Sequence, residues 1–409
     1  MLSILRVGNA LPSRLRPLVL IAVAFVVVTG LAAAARAEPY VPADEAIVLE
    51  RLPVALYGAK RQLASLRAEL ERDPQNLVLA VHLARQYIGL GRAESDPRFN
   101  SYAQAALKPW WDLTEPPLNV LILRATLKQN RHDFAGALVD LSQALSHDPR
   151  SAQAWLTRAT VLQVQGRYRE AAESCLKLLG RTDPLIATTC LSDALSRNGK
   201  AVESYQRLRT AVAGADSTKP AIKLWSLSVL AEIADRLSDT GAAAAHFREA
   251  LVLGVRDIYL LGAYADFLLD NGQVAEARDL LADETRADGL LLRLAIAEQR
   301  LGVESAHGHI DSLDARFAES RQRGDRIHLR EEARFALHLR NDPRRALELA
   351  KENWQIQQEP WDARLVLEAA LTAGAGEEAK PVLQWLADTH LEDSRIQALA
   401  ARLREEAAP

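Results

Sequence analysis

The chain has 409 residues, a formal net charge of −3, 49% hydrophobic residues and only 5% aromatics. No basic block or stripe stands out against that near-neutral balance, which argues against nucleic acid as a partner. The apolar half is mainly alanine and leucine with a single methionine, a composition that suits closely packed helices better than sheets.

The first element in chain order reads as an export leader. Arg6, Arg14 and Arg16 precede an apolar run from Leu18 to Ala35, and Ala35-Arg36-Ala37 places small residues where a signal peptidase reads them. Cleavage after Ala37 predicts a mature chain beginning Glu38-Pro39-Tyr40, and no cysteine near that site offers a lipid anchor. The other reading is an uncleaved anchor, because a run of about 18 apolar residues lies at the lower edge of what spans a bilayer. Residues 1–37 are therefore taken as a secretory signal peptide, the location as periplasmic, and membrane contact as a consequence only of a retained leader. Removing the leader's four arginines from the 50 basic residues leaves 46 against 53 acidic, a mature net charge of −7.

From about residue 44 the chain reads as helix after helix, with no sustained strand-type alternation. The punctuation falls at Asp73-Pro74, Gly89 to Gly91, Asp96-Pro97, Pro116-Pro117, Asp148-Pro149, Gly166, Asp183-Pro184, Gly199 and Lys219-Pro220, then at Gly241, Gly272, Gly302, Asp342-Pro343, Pro360 and Gly374 to Gly376. Such spacing predicts about nine antiparallel helix pairs joined by tight turns. Residues 38–72 read as an N-terminal capping region, 73–301 as repeats, 302–325 as an irregular or register-shifted segment, and 326–409 as further repeats ending in a polar-faced closing helix from Arg395 to Glu406. A second break is expected at Lys108-Pro109-Trp110-Trp111, where proline interrupts a helix.

The most informative feature is an internal echo. Arg124-Ala125-Thr126 recurs 34 residues later as Arg158-Ala159-Thr160, Phe134 as Tyr168, and Ala137 as Ala171, while Asp148-Pro149 returns one residue late as Asp183-Pro184. A period in this range marks a stacked repeat protein. Partial copies follow in order at Ala84, Tyr87 and Gly91; Ala243, Phe247 and Ala250; Ala265, Gly272 and Ala277; Ala346; and Gly374 with Ala379.

This pattern resembles the tetratricopeptide repeat. The resemblance implies an all-α fold, an α-solenoid of stacked antiparallel helix pairs wound into a right-handed superhelix, and a protein or peptide partner held in the groove lined by the first helix of each pair. Carried onto the two clear copies, the groove positions are Asn119, Ile122, Thr126 and Gln129, then Gln153, Leu156, Thr160 and Gln163. These are mostly neutral, and the lysine, arginine and asparagine set by which part of the family grips a C-terminal carboxylate is missing. The stretch from Asn353-Trp354 to Leu371 looks like that of exported proteobacterial members, from which no activity transfers. Trp354, Trp361 and Trp385 mark either a second binding surface or packing of the last pairs on one another, the second being favoured.

Two cysteines, Cys175 and Cys190, flank the turn from Gly180 to Pro184 on neighbouring antiparallel helices. In an exported chain they form either a disulfide or two buried thiols. No glycine-rich phosphate loop, Gly-x-Ser-x-Gly, His-Glu-x-x-His, Cys-x-x-Cys or acidic calcium loop is present, so no catalytic, cofactor or metal site is read from the chain. His307 and His309 with Asp311 form the sole histidine-rich cluster and make a poor metal site across a glycine. The function implied is a non-enzymatic periplasmic scaffold at the cell envelope, in envelope biogenesis or polysaccharide export. The alternatives are an α/α-toroid enzyme acting on polysaccharides, which needs two carboxylates facing one cleft, and a structural subunit of a membrane complex.

Overall fold

The structure, a computed structural model, describes residues 54–215 and 219–406 together with Asp44. The expected leader, its cleavage site at Ala37 and, apart from Asp44, residues 38–53 lie outside the described residues. Two compact units divide the chain at Lys60. In the first, only Asp44 and the opening turns of α1 (Val54–Arg72) are described; everything below concerns the second. Among the described residues no strand occurs, and no helix is long and apolar enough to cross a membrane.

After α1 the helices pair in order: α2 (Leu77–Glu94) with α3 (Arg98–Ala106), followed by the one-turn α4 (Lys108–Trp111); α5 (Leu118–Gln129) with α6 (Phe134–His147); α7 (Ala152–Val164) with α8 (Tyr168–Leu176); and α9 (Pro184–Ser196) with α10 (Ala201–Ala213). Next come α11 (Pro220–Arg236) with α12 (Thr240–Val252), α13 (Ile258–Asp270) with α14 (Val274–Leu281), and α15 (Asp288–Leu301) with α16 (Ser305–Gln322). The array ends with α17 (Leu329–His338) and α18 (Pro343–Trp354), α19 (Pro360–Thr372) and α20 (Lys380–Thr389), and a last helix α21 (Ser394–Glu406). Side-chain caps start many of them: Asn76, Asp133, Ser151, Asp183, Asp239, Asp257 and Asp342 each accept a backbone N–H of the first turn. The chain reverses inside each pair through one residue with positive φ, in order Ser95, His132, Gly166, Gly199, Ser238, Gly272, Gly302, Asn341 and Gly374.

The 34-residue echo has a physical meaning in this geometry. Arg124 and Arg158 reach from the first helix of their pairs to the second, where Asp140 accepts from Arg124 at 2.8 and 2.9 Å and Ser174 accepts from Arg158. Ala125 and Ala159 are fully buried, as are Ala137 and Ala171 opposite them, so the two helices of a pair approach closely. Thr126 and Thr160 return their hydroxyls to the carbonyls of Ile122 and Leu156 at 3.0 and 3.1 Å. Each first helix packs on the next first helix while the second helices splay apart. First helices therefore line the inside of the curve, and the architecture is an all-α solenoid of stacked antiparallel helix pairs.

The two expected breaks come out differently. At Lys108 the break is present: α3 stops at Ala106 and α4 begins afresh with Pro109 in its only turn. The segment 302–325 is helical rather than irregular over the 18 residues of α16, and its register is shifted: Ala306, Ile310, Leu313 and Phe317 are buried 4, 8, 11 and 15 residues after Gly302, where Tyr168, Ala171, Cys175 and Leu178 follow Gly166 by 2, 5, 9 and 12. The small-residue offsets of the central copies are thereby lost while the helical period survives. His307, Gly308 and His309 consequently sit in its first turns rather than in a loop.

Candidate binding surfaces

The groove positions read from the resemblance divide into two groups. Asn119, Gln153 and Thr160 are exposed on the inner side of α5 and α7. Arg85 of α2 donates to Asn119 at 3.3 Å, and Gln153 donates to Thr157 at the same distance, so this stretch of the inner face is a row of neutral, solvated hydrogen-bonding groups. Leu156, Thr126 and Gln129 are half-buried, and Ile122 and Gln163 are buried. Ile122 belongs to the core of α5 to α7, against which Ile356 packs, and Gln163 lies at the end of α7, next to a residue that another part of the chain contacts.

That contacting segment is the C-terminal end of the array, and nothing in the repeat pattern announced it. The N–H of Gln358 donates to the carbonyl of Val164 at 2.8 Å, and the Tyr168 hydroxyl donates to the carbonyl of Gln358 at 3.1 Å. A side chain on Gly166 would meet Trp385 Nε1 at 2.7 Å, and one on Gly199 would meet the Cβ of His390 at 3.1 Å. Glu392 accepts the N–H of Ala201, and Ser238 donates to Ser394 at 2.6 Å. The segment from Gln358 to Ser394 thus follows the turn tips of the α7, α9 and α11 pairs in succession. Farther round, Arg256 donates to the carbonyl of Ala93 at 2.7 Å and Arg286 pairs with Glu94 at 3.3 Å, so the coil also meets its own beginning.

The seam is charged. Arg197, which caps the C-terminus of α9, faces Asp193 at 3.0 Å, Glu232 of α11 at 3.8 Å and Glu359, the N-cap of α19, at 3.5 Å. Arg330 holds Glu359 at 2.7 Å and Asp362 at 2.6 Å, and Asn353 donates to Asp362. Asp266 of α13 receives Arg293 at 2.6 Å and Arg334 of α17 at 2.9 Å; Asp270 receives Arg364 at 2.5 Å; Asp235 receives Arg395 at 2.9 Å. Burial pushes the Glu232, Asp235 and Asp362 carboxyls up, against the pull of their arginines. Burial acts on Asp266 and Glu359 too, but there the paired arginines win and hold both carboxyls below the usual range. The Tyr259 phenol lies beside Glu232, and burial of the hydroxyl end together with that carboxylate raises it well above the ordinary value.

The tryptophans belong to this seam rather than to a free surface. Trp354 is buried and meets Trp385 edge-on at 5.2 Å, Trp385 meets Tyr168 at 6.0 Å, and Trp361 lies between the guanidinium groups of Arg334 and Arg364 at 4.4 and 4.3 Å. Cys175 on α8 and Cys190 on α9 are joined by a disulfide with their Cα atoms 5.5 Å apart. His309 contacts Glu298 at 2.6 Å, Ser305 donates to the same carboxylate, and His307 is exposed. Among the described residues no group of three or more His, Cys, Asp or Glu is placed to hold a metal ion. Sequence reasoning missed the seam because the arginines and carboxylates that meet across it are 68 to 162 residues apart, as Arg334 with Asp266 and Arg197 with Glu359 show.

Neither a protein-family model nor a curated protein sequence matches the chain. Among solved structures, a tetratricopeptide repeat protein from Parabacteroides merdae is 15% identical, with 60% of this chain and 94% of that chain covered at a TM-score of 0.44. The Rap protein in complex with competence and sporulation factor is 14% identical, with 86% and 94% covered at 0.46. PilF of Pseudomonas aeruginosa is 20% identical, with 49% and 92% covered at 0.38.

Proposed function

We propose that the chain is a non-enzymatic scaffold that holds a protein or peptide segment along the inner face of α5 and α7, and that it works in the periplasm, at the cell envelope. The observation that carries this reading is the exposed row of Asn119, Gln153 and Thr160 on consecutive first helices, a neutral surface that offers donors and acceptors without a catalytic constellation. Export is supported by the leader sequence and by the Cys175–Cys190 disulfide, a bond that persists in oxidising compartments. Service in envelope biogenesis or polysaccharide export is the setting this combination suits best.

A photo-crosslinking amino acid at Gln153 or Thr160 tests the reading, with Glu173 on the outer helix α8 as control. A discrete adduct from the two inner positions and none from Glu173 is expected; the same abundant bystanders from all three sites would sink the proposal. Fractionation with N-terminal sequencing checks the location, and a chain that stays in the cytoplasm with Met1 intact would remove that part. The hydrolase alternative makes its own demand: Glu232, the interior acid with the loosest arginine contact, would have to be essential, so Glu232→Gln would abolish any glycan cleavage the protein shows.

A further inference from the structure

We propose that α17 to α21 form a releasable latch on the inner ends of α9, α11 and α13, and that the acidic face under the latch accepts an arginine- and tryptophan-bearing helix of a partner. The inference is independent of the α5–α7 face and stands whether or not that face binds anything.

Three observations carry it. The first is a joint. α16 and α17 make little backbone contact, unlike most successive helices of the array, and the turn between them contains Gly324 at φ 69° with open space around its Cα. They are tied by the edge-on contact of Phe317 with Phe335 at 5.4 Å, by Arg321 with Glu332 at 2.6 Å, and by Arg340, just past α17, with Asp314. The second is the core. From Leu329 to Leu403 most apolar residues form a cluster of their own, which shares Ile356 with the core around α5 to α7, while Phe335 and Leu339 at the end of α17 belong to the core of α9 to α16.

The third is the seam, which is polar and incompletely satisfied. Arg197 Nε, Glu232 Oε1, Asp235 Oδ1, Arg334 Nε, Glu368 Oε2 and Trp385 Nε1 are buried there without a hydrogen-bond partner. A permanent interface satisfies such groups, whereas a polar, partly satisfied contact between segments of one chain has the character of a transient interface. Opening rehydrates all six.

The chemistry of the partner follows from what the latch presents. Asp235, Asp266 and Asp270 lie in the last turn or two of α11 and α13, where the helix dipole adds negative potential, while Asp193 and Glu232 beside them are met by Arg197 at the end of α9. The latch answers with Arg334, Arg364 and Arg395, and it keeps Trp361 flat between two of those guanidinium groups. A displacing helix must bring the same pieces: arginines that fork onto carboxylates and a tryptophan on which they stack.

The test uses the full chain in three forms: wild type, Arg364→Ala with Arg395→Ala to weaken the latch while leaving the acidic face intact, and Ser238→Cys with Ser394→Cys to lock it. The probe is a labelled peptide copying residues 360–372, with a control peptide lacking Trp361 and Arg364. The weakened form is expected to bind the probe about tenfold tighter than wild type, in the range of ordinary coupling between sites, and the oxidised locked form not at all until reduced. Hydrogen exchange at the amides of 166 and 199 gives a second readout: rising salt should speed it in wild type and leave it unchanged in the locked form. Equal probe binding by all three forms, binding of the control peptide as strong as that of the probe, or exchange indifferent to both salt and lock would overturn the latch.

Discussion

Gly166 and Gly272 occupy the same place in their helix pairs, at φ 69° and 75°, but only the first is covered by the C-terminal segment. Replacing Gly272 by alanine puts a Cβ into open space, so the cost is the left-handed backbone alone, about 1–2 kcal/mol. Replacing Gly166 by alanine adds contacts at 2.7 Å with Trp385 Nε1 and 3.1 Å with both Gln358 Cβ and its carbonyl. Two of those atoms are backbone or near-backbone, so the neighbour cannot simply swing aside, and overpacking of this kind costs a further ~1–3 kcal/mol. Gly166→Ala should therefore destabilise by about 2–5 kcal/mol and Gly272→Ala by about 1–2 kcal/mol in urea denaturation. The fluorescence of Trp385 should also shift in the native state of Gly166→Ala and not in that of Gly272→Ala. Equal destabilisation by the two substitutions, with native fluorescence unchanged in both, would refute the reasoning that the C-terminal segment rests on this turn.

The remaining predictions concern charge and the disulfide. Asp266→Asn leaves Arg293 and Arg334 without their carboxylate and should cost about 3–5 kcal/mol at neutral pH; because the folded-state pKa of Asp266 is lowered, the wild type's advantage is fully present above about pH 4 and fades as pH falls through the folded value, so the two stability curves converge in acid. His338 is held at about 4 by burial and the nearby arginines, so the unfolded chain binds its proton first; wild-type stability should fall by about 3 kcal/mol between pH 7 and pH 4 relative to His338→Gln, and parallel curves would contradict this. Reduction and alkylation should add mass at both Cys175 and Cys190, and Cys175→Ala with Cys190→Ala should lose about 3 kcal/mol, the chain-entropy value for a bridge spanning 15 residues. A mass that does not move on reduction and alkylation would remove the bridge.

The local architecture was legible because its causes are local. The alanines at 125, 137, 159 and 171 sit where helices must approach, the arginines at 124 and 158 tie each pair together, and the turn glycines at 166, 199, 272 and 302 carry positive φ. Other turns escaped composition: Ser95, His132, Ser238 and Asn341 adopt the same left-handed conformation without a glycine to signal it. α16 was obscured because its buried residues Ala306, Ile310, Leu313 and Phe317 fall at other offsets from the turn than those of the central copies. The seam lay beyond sequence reasoning altogether. Which charges meet across a coil depends on its pitch, and each of Asp235, Asp266 and Asp270 reads on its own as part of a solvated helix end. Gln163 and Ile122 were assigned to the open groove by repeat position, and they are buried.

The fold-back of the C-terminal end onto the turns of the central pairs is the claim on which the rest depends. Ser238 and Ser394, 156 residues apart, bring their hydroxyl oxygens within 2.6 Å, so replacing both with cysteine tests it in one step. After mild oxidation of the folded monomer, peptide mapping should recover the 238–394 disulfide in nearly every molecule, alongside the Cys175–Cys190 bond. Free thiols at both new positions, or disulfides only between molecules, would contradict the account.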